Sequence, residues 1–245
     1  MKEQLQRDFD NIIKNLSLSQ RDIEIKRFYL DNFIDRGFPN RREEDWKFSD
    51  LNQIIKKNIG ELSFYSDYTS TNKVDTSVFV DGLEHNKIVF INGRIEKIDF
   101  DYEKKNQIEI IDQSETINKF SNNNSLSDLN NAFTNKSFKI LLKNGYQLQK
   151  PLIIYHTTNP KIWSKNINLR LDFELGKDSS LRLIDLFNDT SEKNFLNIFY
   201  NFNLKENAVL KNYKVDKLEN KNIKYSYNNI EQDKNSISET FILSS

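Results

Sequence analysis

The sequence predicts a mainly β protein in which an N-terminal helical region leads into a β-solenoid. Three observations predict it. A strand, turn, strand phrase bounded by leucines occurs at Leu142 to Leu148, again at Leu175 to Leu181, and again at Leu204 to Leu210. The copies lie 33 and 29 residues apart, within the range of stacked supersecondary repeats. Around these copies apolar residues alternate without a helical period, whereas before residue 60 they recur at helical spacing.

Leu5, Phe9, Ile12, Ile13 and Leu16 fall on one face of a first helix. Ser19 is the expected N-cap of a second, which carries Ile23, Phe28 and Phe33 and is ended by Gly37 and Pro39. The stretch 41–51 mixes charge with rings, and Leu51, Ile54 and Ile55 extend it into one more short helix. These elements make up a helical region over 1–60. Residues 61–127 read as a linker and hairpin segment: 60–77 and 112–127 are polar, and between them Asn92-Gly93 supplies the positive φ angles of a two-residue hairpin turn within 88–98. Leu129 to Phe133 fits one helical turn.

The solenoid core is expected over 128–245. Its strands are 139–142, 148–156, 167–175, 181–187, 196–204, 209–215, 224–230 and 237–243, with Asp233-Lys234-Asn235 as the last turn. Phe173 and Phe202 occupy equivalent positions, as do Leu186 and Val215, and Leu175 and Leu204 are expected to point into the core. A solenoid coil buries its apolar face against neighbouring coils. The stack is expected to be open at its C-terminal end, where the chain stops at Ser245 without a cap.

Composition narrows the function. Lys plus Arg and Asp plus Glu both number 36, so no overall attraction to nucleic acid or an anionic membrane is expected. The start lacks a secretory pattern, and a cytoplasmic protein is expected. With 18 Phe and 10 Tyr the core is rich in rings, and the absence of Cys excludes thiolate ligands and cysteine nucleophiles from this sequence. There is no phosphate-binding Gly-rich loop, nucleophile elbow or zinc-type His spacing. His85 and His156 are isolated, with no carboxylate spaced to orient either, and are read as surface or packing residues. Glu43, Glu44 and Asp45 point apart on a helix and stand beside Arg41 and Arg42, which suggests local ion pairing. Trp46 is read as a packing residue. Asp172, Glu174, Asp178 and Asp185 read as lying in or beside turns, and the next coil places Asn201, Asn203, Asn207 and Lys214 opposite them, so no acidic cluster repeats. No catalytic, cofactor-binding or metal-ligating residue is assigned.

The segment from Arg42 through Glu43, Glu44, Asp45, Trp46, Lys47 and Phe48 to Leu51, following Gly37-Phe38-Pro39, resembles the Glu-x-Trp-Lys-Tyr-Thr-x-Leu segment of the SufD family of iron–sulfur cluster assembly proteins. Ile88 to Arg94 with Asn92 and Gly93, Leu129 to Phe133 with Asn130, Lys150 to Ile153 with Pro151, His156, and the strand around 180–187 are similar in the same order. The resemblance implies that the solenoid is a right-handed β-helix. It also implies a non-catalytic scaffold subunit that assembles with a SufB-like partner and a SufC-like ABC ATPase and supports cluster assembly and iron supply. Arg42, Glu44, Trp46, Lys47, Asn92, Gly93, Asn130, Phe133 and Pro151 then serve as structural or interface positions. No cofactor is expected within the chain, and an iron–sulfur cluster only at a complex interface. Family members continue past the equivalent of Ser245, so the sequence reads as the first half or more of such a protein, with cluster ligands expected beyond it. A carbohydrate-active β-helix enzyme and a purely structural solenoid are the alternatives.

Overall fold

A computed structural model describes residues 2–16, 18–65, 73–113, 124–134, 136–188, 192–217 and 222–244. The polar stretches expected on either side of the hairpin fall partly outside these residues, at 66–72 and 114–123. Helices α1 (Lys2–Lys14), α2 (Gln20–Arg36) and α3 (Leu51–Asn58) occupy the expected stretches, except that α1 ends before Leu16. Ser19 Oγ accepts from Asp22 N at the start of α2, Gly37 N donates to Phe33 O at its end, and Asp50 caps α3 through Gln53 N.

The strands form two six-stranded sheets. Sheet I contains β1 (Ser63–Phe64), β4 (Ile108–Asp112), β5 (Ser137–Leu142), β7 (Lys165–Leu175), β9 (Phe195–Leu204) and β11 (Ile223–Gln232). Sheet II contains β2 (Asn86–Ile91), β3 (Arg94–Asp99), β6 (Leu152–Thr157), β8 (Ser180–Asn188), β10 (Val209–Lys217) and β12 (Ile237–Ser244). From β5 onward, successive strands alternate between the sheets and pair in parallel with the strand two places on. This is the solenoid: four strand pairs, each adding one rung to both sheets. Two strands of the 61–127 linker and hairpin segment also join these sheets: β2 of the hairpin pairs in parallel with β6, and β4 pairs antiparallel to β5.

The turn phrase sets the register. Leu142, Leu175 and Leu204 stand side by side, each 2% exposed or less, and the rings of Phe173 and Phe202 stack at 5.0 Å. Each turn needs one left-handed residue, and Gly145, Asp178, Asn207 and Asn235 take φ of 70°, 57°, 58° and 59°, so the last turn is a fourth copy. Backbone bonds join the copies: Gly145 N to Lys177 O at 2.7 Å, Asp178 N to Glu206 O at 2.9 Å and Asn207 N to Lys234 O at 3.1 Å. The pair β5/β6 departs from the repeat. Gln147 pairs with Ser180 but Leu152 with Leu183, so two additional residues precede β6, which starts at 152 instead of the expected 148. Pro151, which cannot donate to a ladder, ends that detour, and its carbonyl accepts from Asn86 N at 2.8 Å.

Helix α4 (Ser125–Phe133) is longer than the single turn expected, and all nine of its residues are buried. It lies between α2 and the outer face of sheet I. Asn130 Nδ2 donates to Leu169 O and Asn197 O, while Asn197 Nδ2 donates back to Leu126 O. Lys26 Nζ, from α2, donates to the carbonyls of Asn131, Ala132 and Thr134 and so caps the C-terminal end of α4. Burial pushes that amine down to about 7, against the pull of Asp22. No helix among the described residues is long and apolar enough to cross a membrane.

Candidate functional site

The residues that carry the resemblance do not converge on one pocket. Trp46 ends a 3-10 turn (Glu44–Trp46), and its ring lies 6.0 Å from that of Tyr225 on β11, which is a packing role. Glu44 pairs with Lys47 at 3.0 Å across the same exposed turn, where Arg42 N donates to Asn40 Oδ1. Asn92 and Gly93 form the hairpin turn with φ of 53° and 79°. Asn92 also donates to Tyr65 Oη at 3.2 Å and accepts from Asn159 N at 2.8 Å. Phe133 stacks on Phe64 at 3.7 Å and meets Phe9 edge-on at 6.0 Å. Trp46, Asn130, Phe133 and Pro151 therefore sit where segments join, holding the helices or β2 against the solenoid.

The unusual chemistry lies inside the solenoid. Strand alternation turns His156 of β6, Asp185 of β8, Tyr200 of β9, Lys214 and Asp216 of β10 and Lys224 of β11 toward the interior, on the same parity as Leu152, Leu183 and Leu210. Asp185 stands mid-strand with no exposure at all, which corrects the reading that placed it in or beside a turn. His156 is 3% exposed and its Nε2 lies 3.1 Å from Asp185 Oδ1 and 2.9 Å from Tyr200 Oη. The expectation that no carboxylate orients it is likewise overturned. Tyr200 donates to Asp185 Oδ2 at 2.8 Å, so Nε2 of the imidazole carries the proton that faces both groups. The ring of Phe90 stacks on the imidazole at 5.4 Å.

Two lysines balance the carboxylates. Lys224 Nζ is 2.6 Å from Asp216 Oδ1 and 3.7 Å from Asp185 Oδ2. Lys214 Nζ, 4.0 Å from Asp185, donates to Ser226 Oγ at 2.9 Å and Asn228 Oδ1 at 2.8 Å and stands 4.5 Å over the Tyr200 ring. Against the cost of burial, Lys224, His156 and Lys214 hold the Asp185 carboxyl far below the usual carboxylate range. Burial pushes Lys214 down to about 8, opposed by Asp185, and burial together with Asp185 pushes the Tyr200 hydroxyl well up.

A charge-balanced, enclosed cluster of this kind offers no surface to a polymer substrate. Its donors for a cation, Asp185 and Asp216, are already faced by ammonium groups. Among the described residues no group of three or more His, Cys, Asp or Glu side chains is arranged to hold a metal ion. What the cluster does is couple coils: it ties His156 of the first strand pair to Lys224 of the fourth along the solenoid axis. One sequence signal for it exists, the opposite charges of Asp185 and Lys214 placed 29 residues apart on an inward parity.

His85 is also buried, at 5%, on the outer face of sheet II. Its Nδ1 lies 2.6 Å from Leu83 O and its Nε2 2.8 Å from Tyr155 Oη, while Val80 N donates to the same hydroxyl at 3.0 Å. It pins the chain segment before β2 to the sheet, a packing role. Fold and site together define a two-sheet β-solenoid with an enclosed ion-pair cluster, entered through a helical module. No protein-family model matches the chain, and no curated protein matches it.

Proposed function

We propose that the protein is a non-catalytic scaffold subunit of an iron–sulfur cluster assembly complex of the SufBCD type, acting in the cytoplasm. The observation that carries this reading is that the segments resembling SufD, taken in order, supply junctions between the helices, the hairpin and the solenoid; this suits a rigid platform better than a turnover site. Among the described residues β11 and β12 each have one unpaired edge, and Ile242, on the inward parity of β12, is 70% exposed. Such edges pair readily with strands of a partner. In this reading the cluster is cargo, and a chain without cysteine leaves its ligands to a SufB-like subunit, with a SufC-like ABC ATPase supplying the motion. The carbohydrate-active alternative needs acids on an open face, yet Asp185 is enclosed, Asp172 is held by Arg170 and Asn201, and Glu174 pairs with Lys139.

Co-expression with the SufB-like and SufC-like proteins of the same genome tests the proposal. Co-elution of the three through affinity and size-exclusion steps is expected. Elution of this chain alone, with the other two forming their own complex, would overturn it.

A further inference from the structure

The outer face of sheet II carries two apolar rows that run across β6, β8, β10 and β12. One is Ile153, Ile184, Tyr213 and Phe241; the other is Tyr155, Leu186, Val215 and Leu243. The first rung, Ile153 and Tyr155, is buried together with Val89 and Ile91 of β2 beneath a strap of the chain itself, through Val74, Val78, Phe79 and Val80, and Ile184 and Leu186 of the second rung are partly buried beside it. The strap's chemistry is explicit: Phe79 packs on Tyr155 at 4.9 Å, lies beneath Lys87 and Lys97 at 5.5 and 5.7 Å, and is flanked in sequence by Asp75 and Asp81.

The rows continue beyond these rungs. Tyr213 is 37% exposed, Phe241 54% and Leu243 67%, with the rings of Tyr213 and Phe241 stacked at 5.2 Å. These side chains point away from the solenoid axis, so stacking another coil on β12 would not cover them. The border is again basic: Arg182, Lys211 and Lys217 face the same side, against the single carboxylate of Glu239, which pairs with Lys211 at 3.4 Å.

We propose that this open half of the face is a docking site for a partner protein's extended segment of the strap's own kind, with Val and Phe at its centre and acidic residues at its flanks. The site is continuous with an interface the chain already builds: its apolar rows extend those under the strap, and its cations around the one carboxylate of Glu239 repeat Lys87 and Lys97 around Asp99. The surface reaches onto β12 but faces outward from the solenoid, so a peptide titration reads it separately from any strand pairing at the edge of β12 on which the scaffold reading relies.

A fluorescent synthetic peptide with the sequence of residues 73–81, titrated with the intact chain, tests the site. Saturable binding is expected, weakened about tenfold or more by Phe241→Ser or Tyr213→Ser, the loss of one buried ring. Both side chains stand in solvent, so unchanged thermal unfolding will show that the variants fold. Phe28→Ser, an exposed ring on α2, should bind as the parent does. A peptide with both aspartates changed to lysine should bind at least tenfold more weakly. Absence of binding at millimolar peptide, equal affinity for Phe241→Ser and parent, or equal affinity for the lysine peptide would each overturn the proposal. So would a dimer of this chain that Phe241→Ser dissolves, since a second copy would then be the occupant.

Discussion

Replacing Asp185 with leucine removes the carboxylate that faces His156, Lys214 and Lys224 at once. Two ammonium groups would then share only Asp216, and Tyr200 would lose the acceptor for its hydroxyl proton. Breaking a buried ion pair from one side costs about 3–5 kcal/mol, because the remaining charge stays buried without compensation. An orphaned hydroxyl adds about 1–3 kcal/mol, although the two effects overlap and do not sum. A loss of about 4 kcal/mol is expected in urea unfolding at pH 7, followed by the fluorescence of Trp46 and Trp163. The decisive comparison is the double variant Asp185→Leu/Lys214→Met. It removes one charge of each sign and leaves the Lys224–Asp216 pair at 2.6 Å and the His156–Tyr200 bond at 2.9 Å. Its loss should be about 2 kcal/mol or less, so that the second substitution restores stability to the first. The pH dependence has a fixed sign: with the folded pKa of Asp185 depressed, its stabilisation is present above the ordinary carboxylate range and is lost as pH falls below it. Equal losses in single and double variants, or a single-variant loss under about 1 kcal/mol, would refute the account of the cluster as a coupled unit.

Gly176→Ala should destabilise by about 1–3 kcal/mol, toward the upper end, because an added Cβ would meet Asn144 N and Oδ1 at 2.6 Å and Leu142 O at 2.8 Å, and backbone yields little; the same urea titration reads it. Leu204→Ala empties a site with no exposure and is expected to cost about 2–5 kcal/mol, again as a shift of the urea midpoint. For Lys26, whose folded pKa is lowered to about 7, the unfolded chain binds more protons above that pH, so stability should rise from pH 7 toward 10. The steepest slope is about 1.4 kcal/mol per pH unit, and Lys26→Met should flatten it while Lys214 keeps a weaker rise from about pH 8.

The turns and strands were legible in the sequence because their causes are local. Alternation assigns each side chain a face, and Gly145, Asp178, Asn207 and Asn235 are residue types that tolerate the left-handed backbone their turns require. The cap at Ser19 acts within three residues and was legible for the same reason. The tertiary structure alone decided the interior cluster. Inward parity is visible for Asp185 and Lys214, but a charge is tolerated inside only once its counter-charges arrive, and those of Asp185 come from residues 29 to 39 places away, met only when the sheets close. His156 was further hidden by the two residues added before β6, which break the repeat that would have aligned it. The full length of α4 follows from its burial between α2 and sheet I, and Gly176 is required by the neighbouring turn and not by its own backbone angles. Local chemistry thus wrote the coils of this protein, while the desolvation of charge and the close approach of one coil to the next were settled only by stacking them.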